Sequence, residues 1–134
     1  MLFNEVPGVL TQEWMETVKA NVDTWKTYGI TLEQFREAIL EKGVASAKKS
    51  GCRAWIMDAS QAKGAFPAEV QKLIEDEVFK TFAKIGIKYF IVVKSGSAIT
   101  NMSINRYTAH AGPCGLQMVE VPDVKTAIEW LEKH

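Results

Sequence analysis

From Thr31 onward the chain alternates between two hydrophobic periods, one helical and one extended. Phe35, Ile39, Leu40, Gly43 and Ala47 share one stripe of a helical wheel, with Glu37, Glu41 and Lys48 on the far side. Arg36 falls inside that stripe, so its stem is expected to lie along the core and carry the charge out to water. Thr31 followed three residues later by Gln34 forms a capping box, and Gly51 stands where a left-handed residue ends a helix. Ala54 to Met57 reads as a short apolar strand ending at Asp58. After a loop from Ala59 to Ala65, Pro67 suits the first position of a second helix. Its buried face is Val70, Leu73, Ile74, Val78 and Phe82, and Gly86 stops it. Ile87 to Val93 is the strongest strand, apolar on both faces from Tyr89 as a strand covered by helices must be. Ser95-Gly96-Ser97 breaks it, Ile99 to Ala111 reads as a third helix, and Gly112-Pro113 ends that. Leu116 to Val121 gives a further strand, and Asp123 caps a last helix with Val124, Ala127, Ile128 and Leu131 inward.

The first thirty residues carry a weaker pattern. Val9 to Trp14 and, better, Val22 to Thr27 read as strands, closed by Tyr28-Gly29-Ile30, where Gly29 is expected to take a backbone conformation special to glycine. Between them, Glu13 to Lys19 fits a turn, a bulged strand or a short helix, and the pattern does not choose. Strands and helices that alternate in this way predict parallel strands with helical crossovers. The expected fold is therefore α/β: a single-layer, mixed and mostly parallel sheet of about five strands, with an N-terminal antiparallel pair and about four flanking helices. No repeat, low-complexity tract or linker interrupts residues 1–134, which read as one domain.

Composition removes several functions. Acids and bases balance at 16 each, and lysines occur singly or in pairs, so no field recruits nucleic acid or an anionic membrane. Met1 to Leu10 holds Asn4, Glu5 and Pro7 instead of a basic stretch and a long apolar run, unlike a signal peptide. The longest apolar run, Tyr89 to Val93, is far too short to span a bilayer. A cytoplasmic protein follows, with Cys52 and Cys114 as reduced thiols that act as small core hydrophobes.

The chemistry-bearing residues are sparse. Asp58 and Ser60 end a parallel strand, at the edge where open α/β sheets place ligands. Two readings compete there: Asp58 accepting from loop amides with Ser60 in a turn, or a polar pocket rim completed by Lys94, Ser95 and Ser97. Ser95-Gly96-Ser97 before a helix offers backbone amides to an anion but lacks the spacing of a phosphate loop, so an ordinary turn is favoured. Both loops open at one end of the sheet, and the helix dipoles behind them favour an anionic head. Phe66, Ile99 and Tyr107 are expected to wall that site, with Phe66 as a lid, a contact or a packing residue. His110 and Cys114 are too few to hold zinc, and one interior histidine is not a triad. No catalytic residue, metal ligand or cofactor site is expected.

With its elements in this order, the chain resembles the SpoIIAA-like family, whose domains are related in fold to STAS domains and to the CRAL-TRIO lipid carriers. The resemblance runs from about Trp25 to the C-terminus. It is carried by Trp25-Lys26-Thr27-Tyr28-Gly29, by Thr31-Leu32-Glu33-Gln34-Phe35 and by Trp55-Ile56-Met57-Asp58-Ala59-Ser60. Gly86-Ile87-Lys88-Tyr89-Phe90-Ile91-Val92-Val93, Met102-Ser103 and Ala127-Ile128-Glu129-Trp130-Leu131 complete it. True anti-sigma antagonists carry a phosphorylatable serine where the second helix starts; here Lys63-Gly64-Ala65-Phe66-Pro67-Ala68 offers no hydroxyl. The resemblance implies a non-enzymatic regulatory or interaction module that binds a protein partner or itself, as a homo-oligomer. The kinship with lipid carriers implies an alternative, a carrier of a small apolar ligand, which Phe79 and Phe82 would suit.

Overall fold

The structure, a computed structural model, describes residues 1–134. Six strands form one sheet in sequence order: β1 (Leu2–Val6), β2 (Leu10–Met15), β3 (Ala20–Trp25), β4 (Ala54–Asp58), β5 (Tyr89–Val93) and β6 (Gln117–Val121). The first three form an antiparallel meander, and β3 to β6 run parallel. The α/β expectation holds, with one strand more at the N-terminus than the pattern predicts. Polar residues are mixed through Leu2–Val6, so β1 carries no alternation to read. The undecided stretch resolves as β2 running on to Met15 and a turn in which Lys19 takes a positive φ of 54°. Lys19 and Glu16 form an ion pair across that turn.

Four helices cover the sheet unevenly. Helices α1 (residues 32–50), α2 (residues 68–84) and α3 (Ala98–Thr108) pack on one face around 28 buried residues. Helix α4 (Val124–Glu132) lies on the other, over 10 buried residues including Val22, Ile56 and Ile91. The capping box at Thr31 and Gln34 is present, Asp123 caps α4, and Gly51 ends α1 at φ 69°. Gly29 departs from expectation: its φ is not positive, because the turn is held instead by its amide donating to Thr27 Oγ1 at 3.0 Å. Pro67 sits one residue before the first helical turn of α2.

Both long helices widen in the middle. Arg36–Gly43 in α1 and Ile74–Val78 in α2 are π-helical, a rare form with i→i+5 hydrogen bonds. The widening shifts the phase of α1, so Ala38 and Val44 join Phe35, Ile39, Gly43 and Ala47 inside. Arg36 is correspondingly out of the core, where its guanidinium meets Glu77 of α2 at 3.6 Å. It also sets Gly43 against the sheet. A Cβ there would lie 2.7 Å from Cη2 of Trp55 and 2.9 Å from the Ala38 carbonyl oxygen. Neither neighbour yields easily: one is a buried ring, the other backbone. Gly43→Ala is therefore expected to destabilise the fold by roughly 1–3 kcal/mol, as overpacking does. Urea denaturation at neutral pH measures it, and a midpoint equal to wild type would show that the helix has slack at this crossing.

Candidate functional site

The face of the sheet beneath α1 carries a polar row across three strands. Asn4 of β1 lies opposite Gln12 of β2, and Gln12 lies opposite Asp23 of β3. Alternation in β3 turns Asn21, Asp23 and Trp25 to this face, so a carboxyl group goes inward in phase with a tryptophan. Asn4 Nδ2 donates to Gln12 Oε1 at 2.7 Å, and Gln12 Nε2 donates to Asp23 Oδ1 at 3.1 Å. From β4, the Trp55 indole N–H donates to Asp23 Oδ2 at 2.8 Å. At the outer end, the Lys42 ammonium donates to Asn4 Oδ1 at 3.3 Å. Every amide in the row thus points a donor toward Asp23.

Asp23 is 1% exposed and borders a cavity of about 30 Å³, room for about two water molecules. Trp25 of β3, Trp55 and Met57 of β4, and Phe90 of β5 form its floor. Phe35 and Ile39 come from α1, and Ile74, Val78, Phe79 and Phe82 come from α2. Tyr107 of α3 and Phe66 of the β4–α2 loop close it. Ile39, Ile74 and Val78 belong to the two π-helical stretches, so both widened turns border the cavity. The rings interlock: Trp55 stacks on Phe82 at 4.2 Å, and Phe66 stacks on Tyr28 at 3.8 Å. The Tyr28 and Tyr107 hydroxyls are 2.9 Å apart, and burial raises both. Burial also pushes the Cys52 thiol up to about 11, so it is inert in the core.

Phe66 faces two ways. Inward it walls the cavity; outward it lines a surface depression with Ala65, Ala68, Gln71, Ile99, Met102, Ser103 and Arg106. Its loop is tied on both sides. The Lys63 carbonyl accepts from the Tyr28 amide at 2.9 Å, Ser95 Oγ donates to the Ala62 carbonyl at 2.7 Å, and Thr100 Oγ1 donates to the Gly64 carbonyl at 2.5 Å. Beyond the loop, Gln71 and Ser103 hydrogen-bond to each other twice and join α2 to α3.

The residues singled out by sequence divide between two places. Ser60, Ser95 and Ser97 border an open polar depression with Gln61 and Lys63. Phe66 and Tyr107 are instead buried at the aromatic cavity, and Ile99 is 62% exposed on the outer side of α3, so no joint wall forms at the loop edge. The polar groups at that edge are engaged within the fold. Asp58 Oδ1 accepts from the Ser60 amide at 2.9 Å, and Ser97 Oγ caps α3 by accepting from the Thr100 amide. Ser95 Oγ, besides donating to Ala62, accepts from the Ser97 amide at 2.9 Å. Lys94 pairs with Glu120 of β6 at 3.1 Å. His110 lies 3.7 Å from Glu75.

No family model matches the chain, and no curated protein or solved structure matches it either. The geometry alone carries the functional reading.

The sequence pattern assigned Asn4, Gln12 and Asp23 no part in a site. The signal for Asp23 was its two-residue spacing from Trp25 in a strand; for Asn4 and Gln12 there was none, because their role depends on register across β1, β2 and β3.

Burial raises the Asp23 carboxyl from 3.8 to about 7, against the opposing hydrogen bonds from Trp55 and Gln12. Between these values the folded chain holds a proton that the unfolded chain has released. Stability contributed by protonated Asp23 is therefore complete at acidic pH and is lost as pH rises to about 7. Asp23→Asn is expected to abolish this loss while lowering stability at acidic pH, since an amide accepts from only one of the two donors. Urea midpoints from pH 4.5 to 8 measure the slope; equal slopes in the two proteins would show that Asp23 does not titrate in this window.

Proposed function

We propose that this domain is a binding protein for a small, mainly apolar ligand held in the aromatic cavity between the sheet and helices α1 to α3. The single observation that carries this is the cavity itself, bordered by 12 hydrophobic residues and by Asp23. Packed interiors leave few voids, and this one is bordered by residues of both widened helical turns, a form frequent at functional sites. Phe66 supplies the route, standing between the cavity and the outer depression. A carboxyl group that titrates near neutrality would also suit a general base. Its partners here are an indole and an amide, however, and no nucleophile shares the cavity, so binding is the better reading. A cytoplasmic setting is part of this proposal. The structure has no helix long and apolar enough to cross a membrane. The SpoIIAA-like resemblance stands beside it as a proposal too, supported by the order of strands and helices.

A second reading, a module that binds a protein partner or itself, is favoured by Ile99 and Met102. They are 62% and 71% exposed on one face of α3, beside Phe66. In that reading, occupancy of the cavity is reported at the surface through Phe66.

Toluene is a probe of the cavity small enough to enter once Phe66 swings out. Saturating toluene is expected to raise Tm by a few degrees and to shift the Trp55 indole N–H resonance. Ile74→Phe, which fills the cavity, is expected to lose both responses while keeping its circular dichroism. Unchanged Tm and indole resonance in the wild type would refute the ligand reading. For the second reading, Ile99→Glu with Met102→Glu is expected to abolish any self-association or partner retention seen by native mass spectrometry, with Tm held within about 1–2 °C because both sites are exposed. Association that survives this pair of changes would rule out α3 as its surface.

A further inference from the structure

Deepening the reading of the cavity as a ligand site, we propose that its ligand is a small aromatic or aliphatic amine, whose ammonium group is held by Asp23 and by the faces of the surrounding rings. Three observations lead there. First, Asp23 is a buried carboxyl group with no cationic partner: every ion pair in the protein lies elsewhere. Its two oxygens accept one hydrogen bond each, from Gln12 and Trp55, which leaves lone pairs on both for a further donor. A buried charge is normally paired or neutralised, and here the cavity supplies the space for the missing partner.

Second, eight of the thirteen lining residues are aromatic; Trp55 turns its N–H edge to Asp23 and stacks on Phe82, so the ring faces on offer to a cation are those of Trp25 and the other rings. Ring faces carry negative electrostatic potential, and tryptophan is the strongest of them toward an organic cation. Rings and carboxylate therefore favour the same sign of charge. They disfavour an anionic head group, in contrast to the loop edge. A plain hydrocarbon would gain the apolar contacts but would leave Asp23 without a partner.

Third, the route sets the shape. Phe66 lies face to face with Tyr28 and edge-on to Trp25 and Phe35. When its ring moves into the outer depression, it vacates a slot of one phenyl ring, ready-made for an aryl group. An amine on a short tether then reaches inward from that slot. The ammonium needs no counter-charge other than Asp23. Asp23 is in contact with the neutral Gln12 amide and Trp55 indole, and the titratable groups that feel its charge are the Tyr28 and Tyr107 hydroxyls and the Cys52 thiol; α1 and α2 present only apolar residues to the cavity. Lys42 ends its reach at Asn4.

Benzylamine, benzyl alcohol and toluene share one ring and differ at one group, so they test this directly. Titrations near pH 8, read at the Trp55 indole N–H resonance, are expected to rank benzylamine at least about tenfold tighter than the other two. Benzylamine stays charged from pH 8 to pH 6 while Asp23 gains its proton, so its binding is expected to weaken about tenfold over that range. Toluene binding is expected to stay level. In Asp23→Asn the preference for the amine is expected to vanish. Toluene binding as tightly as benzylamine overturns the amine assignment and leaves the apolar-ligand reading standing. Binding by none of the three overturns both. The pH comparison needs only the wild type, so it decides the matter even where Asp23→Asn does not fold; an amine affinity unchanged between pH 8 and pH 6 also overturns the proposal.

Discussion

Taking the Asp23 carboxyl group out of water is the constraint around which the larger core is arranged. Such a group costs several kcal/mol to bury unless donors meet it, and the two that do come from different strands, Gln12 on β2 and Trp55 on β4. Those bonds lock β3 between an antiparallel and a parallel neighbour in one register. A slip of one residue would turn Asp23 to the opposite face and bring Val22 into its place. Gln12 in turn has its own acceptor filled by Asn4, which accounts for the extra strand β1 at the edge. The Trp55 ring that carries the other donor lies so close to α1 that only glycine fits at position 43.

The same demand reaches into the helices. A regular α1 would place a different set of side chains over Trp55; the π-helical stretch from Arg36 to Gly43 adjusts the phase so that Ile39 and Gly43 face the sheet together. Helix α2 repeats the device over Ile74–Val78, directly across the cavity. Widened turns exchange regular hydrogen bonding for a change in side-chain direction, and they are frequent at functional sites. Here both border the same small void. Large rings hold it open, since Trp55, Phe79 and Phe82 brace one another and cannot collapse as aliphatic chains would.

The carboxyl end of the parallel strands, where open sheets of this kind usually bind ligands, is arranged differently. Its hydroxyls stitch loop to loop, Ser95 to Ala62 and Thr100 to Gly64, while Asp58 turns back within its own loop to the Ser60 amide. That stitching fixes the backbone on either side of Phe66, while the ring itself is kept by apolar burial and stacking. Those contacts are non-directional, whereas the tethers on each side fix hydrogen-bond geometry. A ring held in this way beside a void is suited to swing while its loop stays in place.

The sequence by itself determined the local features: the helix starting at Thr31, its stop at Gly51, the buried face of α2, the apolar strand ending at Val93 and the α/β order. Each rests on residues within a few positions of one another, so periodicity and capping chemistry express them in one dimension. Phe66 and Tyr107 were legible as apolar residues of interest, because an aromatic beside a proline and another on a helix face stand out locally. Their location was not, since it depends on how the β4–α2 loop folds over the sheet and on which face of α3 turns inward. The tertiary structure alone decided that Asn4, Gln12 and Asp23 form a row, because three strands must pair in register before their side chains become neighbours. It alone placed Trp55 against Gly43, since β4 and α1 meet only when the chain is folded, and it alone showed the two widened helices. A lone aspartate in a strand is ordinary; aromatic rings drawn from across the fold make it a charged group in an apolar cavity.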